Sequence, residues 1–130
     1  MGDQKIKVLL VEDDTMLSDM YNMKFTNEGF EVWRGTNGVE GLAQLEKNGA
    51  PDILLLDVIM PQMDGFTMLA KVKENVAWKN VPVILLTNLG QEADVKKGLA
   101  MGANDYLVKA NFTPGQVVEK VKALLKSIKS

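Results

Sequence analysis

The 130-residue chain predicts a doubly wound α/β domain whose five parallel strands lie in the order 2-1-3-4-5. Three observations carry that reading. Five short apolar runs recur along the chain: Ile6–Val11, Phe30–Trp33, Ile53–Leu56, Val81–Leu86 and Tyr106–Val108. The segments between them carry helix start and stop signals, and strands alternating with helices build a parallel sheet. The first, third and fourth runs are almost wholly apolar, as strands covered on both faces must be. Phe30-Glu31-Val32-Trp33-Arg34 alternates and the fifth run is short, so both are expected at the sheet edges. Right-handed crossovers then select the order.

Each helix has readable ends. Asp14 is placed to N-cap the first, which carries Leu17, Tyr21 and Phe25 at i, i+4 spacing and stops at Gly29. Asn37 and Glu40 mark the start of the second, and Asn48-Gly49 followed by Pro51 marks its end. Asp64 caps the third, with Phe66, Leu69 and Val72 apolar. The fourth, Glu92–Met101, has the weakest signal because Gly98 lowers its propensity. The fifth opens on a capping box, Thr113-Pro114-Gly115-Gln116, with proline at the first helical position. Phe112 and Val117 are spaced as a hydrophobic staple. Val117, Val121, Leu124 and Ile128 are expected on its buried face, and Lys120, Lys122, Lys126 and Lys129 on a solvated one.

Composition narrows the chemistry. The chain is 46% hydrophobic and 25% charged, as in an ordinary globular domain, and its length suits one domain over residues 1–130 with a core of about 5–128. The net charge of -2 offers no basic field for nucleic acid or an anionic membrane. No apolar run approaches the roughly 18–20 residues of a membrane span. Met1-Gly2-Asp3-Gln4-Lys5 lacks the apolar stretch of a signal peptide, and Ile6 stands where a myristoylation signal at Gly2 needs Ser or Thr. Cysteine and histidine are both missing, so disulfides, thiol or imidazole nucleophiles and soft metal sites are excluded. A cytoplasmic location is expected.

The ends of the strands collect reactive groups. Glu12-Asp13-Asp14 follow the first, Asp57 the third, Thr87 the fourth and Lys109 the fifth. In such sheets the carboxyl ends of the strands share one rim, and ligands bind there at the switch point, here between strands one and three. Taken singly, Asp14 is a helix cap, and Thr87 or Lys109 is an unremarked strand end. Together they form an acidic corner, a carboxylate, a hydroxyl and an ammonium. Carboxylates about 4 Å apart repel by about 4 kcal/mol at an effective dielectric near 20, so the cluster is expected to raise a pKa or bind a cation. Oxygen-only ligands favour a hard ion, and Mg2+ fits. Asp57 then becomes a carboxylate nucleophile forming an aspartyl-phosphate. Magnesium and Lys109 would offset charge on the transferring group, and Thr87 would hydrogen-bond a phosphate oxygen.

Four stretches carry a resemblance over essentially the whole chain: Val8-Leu9-Leu10-Val11-Glu12-Asp13-Asp14, Leu54-Leu55-Leu56-Asp57-Val58-Ile59-Met60-Pro61-Gln62-Met63-Asp64-Gly65, Val83-Ile84-Leu85-Leu86-Thr87 and Gly102-Ala103-Asn104-Asp105-Tyr106-Leu107-Val108-Lys109. The chain resembles the receiver domain of bacterial two-component response regulators. The resemblance implies a flavodoxin-like (βα)5 fold. The 2-1-3-4-5 order is that of the family's chemotaxis members, so the two readings of strand order are not independent. It also implies that Asp57 is the phosphorylated aspartate, that Asp13, Asp57 and the backbone carbonyl of Ile59 hold Mg2+ with Glu12 acting through water, and that Thr87 and Tyr106 form a switch pair. On switching, Thr87 moves to the phosphoryl group and the aromatic ring turns inward. Asp14 is outside the essential acid pair. The implied donor is a sensor histidine kinase or histidine phosphotransfer protein, and the chain, having no histidine, needs a separate one. The implied output is a population shift around the fourth helix, fifth strand and fifth helix. It is read by a downstream protein, in a monomer or a phosphorylation-dependent homodimer.

Two departures from the family pattern stand out. Ala110 replaces the proline that usually follows the lysine with a cis peptide before it, so the loop is either strained or trans with Lys109 placed differently. Asn88 is larger than the usual residue after the switch threonine. The resemblance implies that Ile59 and Leu89 occupy positions that in this family flank the site and tune phosphate lifetime. The domain is therefore expected to be a signalling switch that assists its own loading and unloading, not a turnover enzyme. An aspartyl-phosphate phosphatase would need its nucleophile where Glu12 stands, and a flavin carrier would need a hydroxyl- and glycine-rich loop where the acids stand. A receiver-like module that is never phosphorylated is the remaining alternative.

Overall fold

In the computed structural model, residues 5–129 are described, without the side chain of Lys129. The readings of Gly2 and of the Lys129 side chain lie outside the described residues. Five strands alternate with five helices: β1 (Lys7–Val11), α1 (Thr15–Asn27), β2 (Glu31–Gly35), α2 (Gly38–Asn48), β3 (Ile53–Leu56), α3 (Gly65–Glu74), β4 (Val83–Thr87), α4 (Glu92–Ala100), β5 (Asp105–Val108) and α5 (Pro114–Lys129). The strands form one sheet in the order β2-β1-β3-β4-β5, all parallel.

Period-two alternation divides the core into two layers. Leu9, Val11, Leu54, Leu56, Val83 and Leu85 face α2, α3 and α4, where Leu45, Met68, Leu69 and Val72 meet them. Val8, Leu10, Ile53, Leu55, Ile84 and Leu86 face α1 and α5, against Tyr21, Phe25, Val117 and Val121. Every residue of β3 is fully buried, which requires a continuous apolar run in place of an alternating one.

Local signals set the helix ends. Asp14 accepts from Leu17 N at 3.1 Å, Asn37 from Glu40 N at 2.9 Å and Asp64 from Thr67 N at 2.8 Å. Thr113 and Gln116 satisfy each other, the threonine N–H donating to Gln116 at 2.9 Å and the Gln116 N–H to the Thr113 hydroxyl at 3.1 Å. Gly29 follows α1 at φ 91, a left-handed conformation that glycine adopts without steric cost.

Several boundaries and faces differ from the sequence reading. β2 starts after Phe30 and runs to Gly35, because Phe30 turns in to stack edge-on against Phe25 at 5.1 Å. β4 starts at Val83, two residues after Val81, since Pro82 has no N–H for the ladder. On α5 the buried stripe is Val117, Val118, Val121 and Leu125, while Ile128 is 52% exposed. Val117 and Val121 lie on the expected face, Leu124 is partly buried against the core, and Val118 and Leu125 take the remaining buried positions. Lys120 and Lys122 are not simply solvated: Lys122 pairs with Glu28 at 2.6 Å, and Lys120 lies 5.6 Å from the centre of the Phe112 ring.

Candidate functional site

The hydrogen-bond ladder continues one residue past the strands, and this builds the site. Val11 and Leu56 are register partners, and the N–H of Asp57 donates to the carbonyl of Val11 at 3.0 Å. The N–H of Glu12 likewise donates to Gly35 at 3.0 Å. Glu12 and Asp57 are thereby fixed side by side, 1% and 5% exposed. Thr87 pairs with Val108 across β4 and β5, so Lys109 leaves the sheet at the same rim.

Lys109 closes the cluster. Its ammonium lies 2.5 Å from Glu12 Oε1 and 2.7 Å from Asp57 Oδ2. The second oxygen of each acid is also engaged: Glu12 Oε2 accepts from Asp14 N at 3.0 Å, and Asp57 Oδ1 from Ile59 N at 3.3 Å. Burial pushes the Glu12 carboxyl up to about 7, against the opposing pull of its Lys109 and Asp14 hydrogen bonds. Burial alone would lower the Lys109 ammonium, but its bonds to Asp57 and Glu12 outweigh that and hold it above its ordinary value.

One ammonium faces two buried acids, and exposed Asp13 adds a third. One carboxylate oxygen from each of Glu12, Asp13 and Asp57 lies within 4.8 Å of the others. An all-oxygen donor set carrying excess negative charge fits a hard divalent ion such as magnesium, which takes one or two carboxylates and retains water. Asp14 contributes its backbone N–H here while its carboxylate caps α1.

Ala110 after Lys109 leaves the lysine within reach of both acids. Among the described residues every peptide bond is trans, and Lys109–Asn111 forms a 3₁₀ turn from which the lysine still reaches both acids. Asn88 is exposed and, with Tyr21, Lys109, Ala110 and Phe112, borders a surface cavity of about 320 Å³. Ile59 is 60% exposed, and Leu89 is partly buried against the core.

Thr87 is fully buried, and its hydroxyl accepts from Leu89 N at 3.3 Å. The Tyr106 hydroxyl donates to the carbonyl of the same Leu89. The tyrosine ring is already buried, and burial raises its phenol pKa. Sequence reasoning missed this link through the Leu89 backbone, which no side-chain pattern announces. It also missed Gly65. A Cβ there would lie 2.1 Å from the carbonyl oxygen of Asp57, while the Gly65 N–H donates to Val58 at 2.8 Å. The start of α3 thus packs directly on the backbone of the acceptor candidate. Gly65 stood in the quoted motif, and a glycine just after a helix cap was the signal available.

Fold and rim together define a signalling receiver of the doubly wound α/β class. Residues 8–122 match the response regulator receiver domain family, and the chain belongs to it. It is 37% identical over 125 residues to the transcriptional regulatory protein SrrA of Staphylococcus aureus, covering 95% of this chain and 49% of that protein. It is 33% identical over 120 residues to the DNA-binding dual master transcriptional regulator RpaA of Synechocystis, covering 92% of this chain and 49% of that protein. The chain thus spans about half the length of these curated relatives. Among solved structures, chemotaxis protein CheY4 of Vibrio cholerae superposes with a TM-score of 0.85 at 30% identity, covering 92% of this chain and 98% of that one. No helix among the described residues is long and apolar enough to cross a membrane.

Proposed function

We propose that the chain is a magnesium-dependent phospho-acceptor switch in which Asp57 takes a phosphoryl group from a phosphohistidine on another protein. The observation that carries this is the buried Asp57 carboxylate, held by Lys109 at 2.7 Å beside Glu12 and Asp13. An Asp57 oxygen attacks phosphorus, the P–N bond breaks, and the imidazole leaves with the electron pair and takes up a proton. Lys109 already sits on Asp57 Oδ2 and offers its ammonium to an oxygen of the arriving group. Thr87 accepts from Leu89 and keeps its own proton to donate to another oxygen. Asp13 and Asp57, with the carbonyl of Ile59 and with Glu12 through water, would hold the ion. Magnesium bound there supplies positive charge against the phosphoryl oxygens.

These residues include no histidine, so the phosphohistidine that donates lies outside this domain. A sensor kinase or phosphotransfer protein fits, and the output is a change of surface read by a downstream protein. Receiver domains are signalling domains, and here the self-assisted loading and unloading of Asp57 replaces turnover of an external substrate. The named relatives include a DNA-binding regulator, but the charge of -2 supports assigning direct DNA contact elsewhere than to this domain.

Incubation with acetyl phosphate tests the reading. Intact mass should gain one phosphoryl group with magnesium, lose most of that gain in a chelator, and show none in Asp57→Asn. An adduct surviving Asp57→Asn would overturn the assignment.

A further inference from the structure

The residue of α4 least suited to a helix is its most enclosed. Glycine ranks just above proline as a helix former, yet Gly98 is the buried residue of α4. A Cβ at this position would lie 2.5 Å from Leu85 Cδ1, and 3.0 Å and 3.3 Å from Cδ2 and Cε2 of Tyr106. Leu85 and Tyr106 are register partners on β4 and β5. Leu85 is fully buried in the core, where side chains are close-packed. The space that a Gly98 side chain would need is therefore shared by the Leu85 methyl and the edge of the Tyr106 ring.

That ring is wired to the β4–α4 loop. Its hydroxyl donates to the Leu89 carbonyl, and the Leu89 N–H donates to the Thr87 hydroxyl at 3.3 Å. Whatever sets the ring sets the loop that begins directly after Thr87. We propose that Gly98 is a positioning residue: it forms the slot that holds Tyr106 inward in the unphosphorylated chain and, through Leu89, pre-sets Thr87 for the phosphoryl group. This rests on Thr87 and Tyr106 acting as a switch pair. The slot raises the resting population of the ring-in state, and apparent affinity for a phosphoryl mimic rises in proportion to that population.

Gly98→Ala tests the slot. The chain has two tyrosines, so ring-labelled tyrosine gives two NMR signals, which Tyr106→Phe assigns. With Gly98→Ala, the Tyr106 signal should move toward its solvent-exposed position while that of Tyr21 stays. If the inward population falls tenfold, beryllofluoride titrated with magnesium should bind about tenfold more weakly. Adding Leu85→Val, which removes the nearer obstacle, should restore both readouts. If Gly98 served only the helix, Gly98→Ala would leave signal and affinity unchanged, and the proposal would be overturned. Should Gly98→Ala not fold, recovery of folding in Gly98→Ala/Leu85→Val supports the slot, and continued failure overturns it. Should the wild-type chain bind no beryllofluoride, the phospho-acceptor reading fails and the Tyr106 signal alone decides the role of Gly98.

Discussion

The ammonium of Lys109 lies 2.7 Å from Oδ2 of Asp57, across 52 positions of sequence. The same ammonium is 2.5 Å from Glu12. All three groups are nearly out of solvent, the lysine side chain at 9% and the acids at 2% and 6% exposure. Removing the lysine would leave two buried carboxylates without a cation.

Lys109→Met is therefore expected to destabilise the domain by about 3 kcal/mol at pH 8 without magnesium, the usual scale for breaking a buried pair. The loss should shrink toward pH 5, where Glu12 can protonate. Urea unfolding at both values, alongside acetyl phosphate loading, checks it. Unchanged stability at pH 8 would contradict the burial argument.

Glu12 gives a second pH signature. Its folded pKa is raised from 4.5 to about 7, so the folded chain binds the proton more tightly than the unfolded one. That stabilising contribution is complete below about pH 4.5 and is lost as pH rises through 7, a total of a few kcal/mol. Without divalent cations, wild-type stability should carry this falling component between those values. Glu12→Gln should remove it. Parallel pH profiles for wild type and Glu12→Gln would refute the assignment.

Magnesium should stabilise the fold by mass action, about 2.7 kcal/mol at a hundredfold excess over its Kd. The gain should be larger at pH 8 than at pH 6, because the ion competes with the Glu12 proton. Asp13→Asn should abolish most of it. Thermal unfolding across a magnesium titration is the measurement, and an equal gain in Asp13→Asn would remove Asp13 from the ligand set.

Gly65→Ala probes how the fold supports the acceptor. The added carbon would meet the Asp57 carbonyl at 2.1 Å, and backbone cannot rotate aside as a side chain can. Expected are a loss of at least about 1–3 kcal/mol, the range for overpacking, and slower loading from acetyl phosphate. If the variant keeps both stability and loading rate, α3 does not constrain Asp57.

Much of the fold was legible because its causes are local. Asp14, Asn37, Asp64 and the Thr113–Gln116 pair cap helices within a few residues of themselves. The unbroken apolar run of β3 announced burial on both faces. Glu12, Asp13, Asp57, Thr87 and Lys109 were identifiable as a group because parallel topology sends every strand's carboxyl end to one rim. The periodicity of α5 predicts Val117 and Val121 correctly but not Ile128, which is exposed while Val118 and Leu125 are buried, since helical periodicity fixes a face only to within the width of one side chain.

By itself, then, the sequence determined the strand order, the helix caps and the set of reactive groups at the rim. Only the tertiary structure decided how those groups meet. Lys109 reaches both acids although Ala110 follows it, Gly65 lets α3 rest on the Asp57 backbone, and Gly98 makes room for the Tyr106 ring. Caps and periodicities are satisfied among neighbours in the chain. The Lys109–Asp57 contact and the space beside Gly98 depend on elements that approach only after the sheet and its two helical layers have packed.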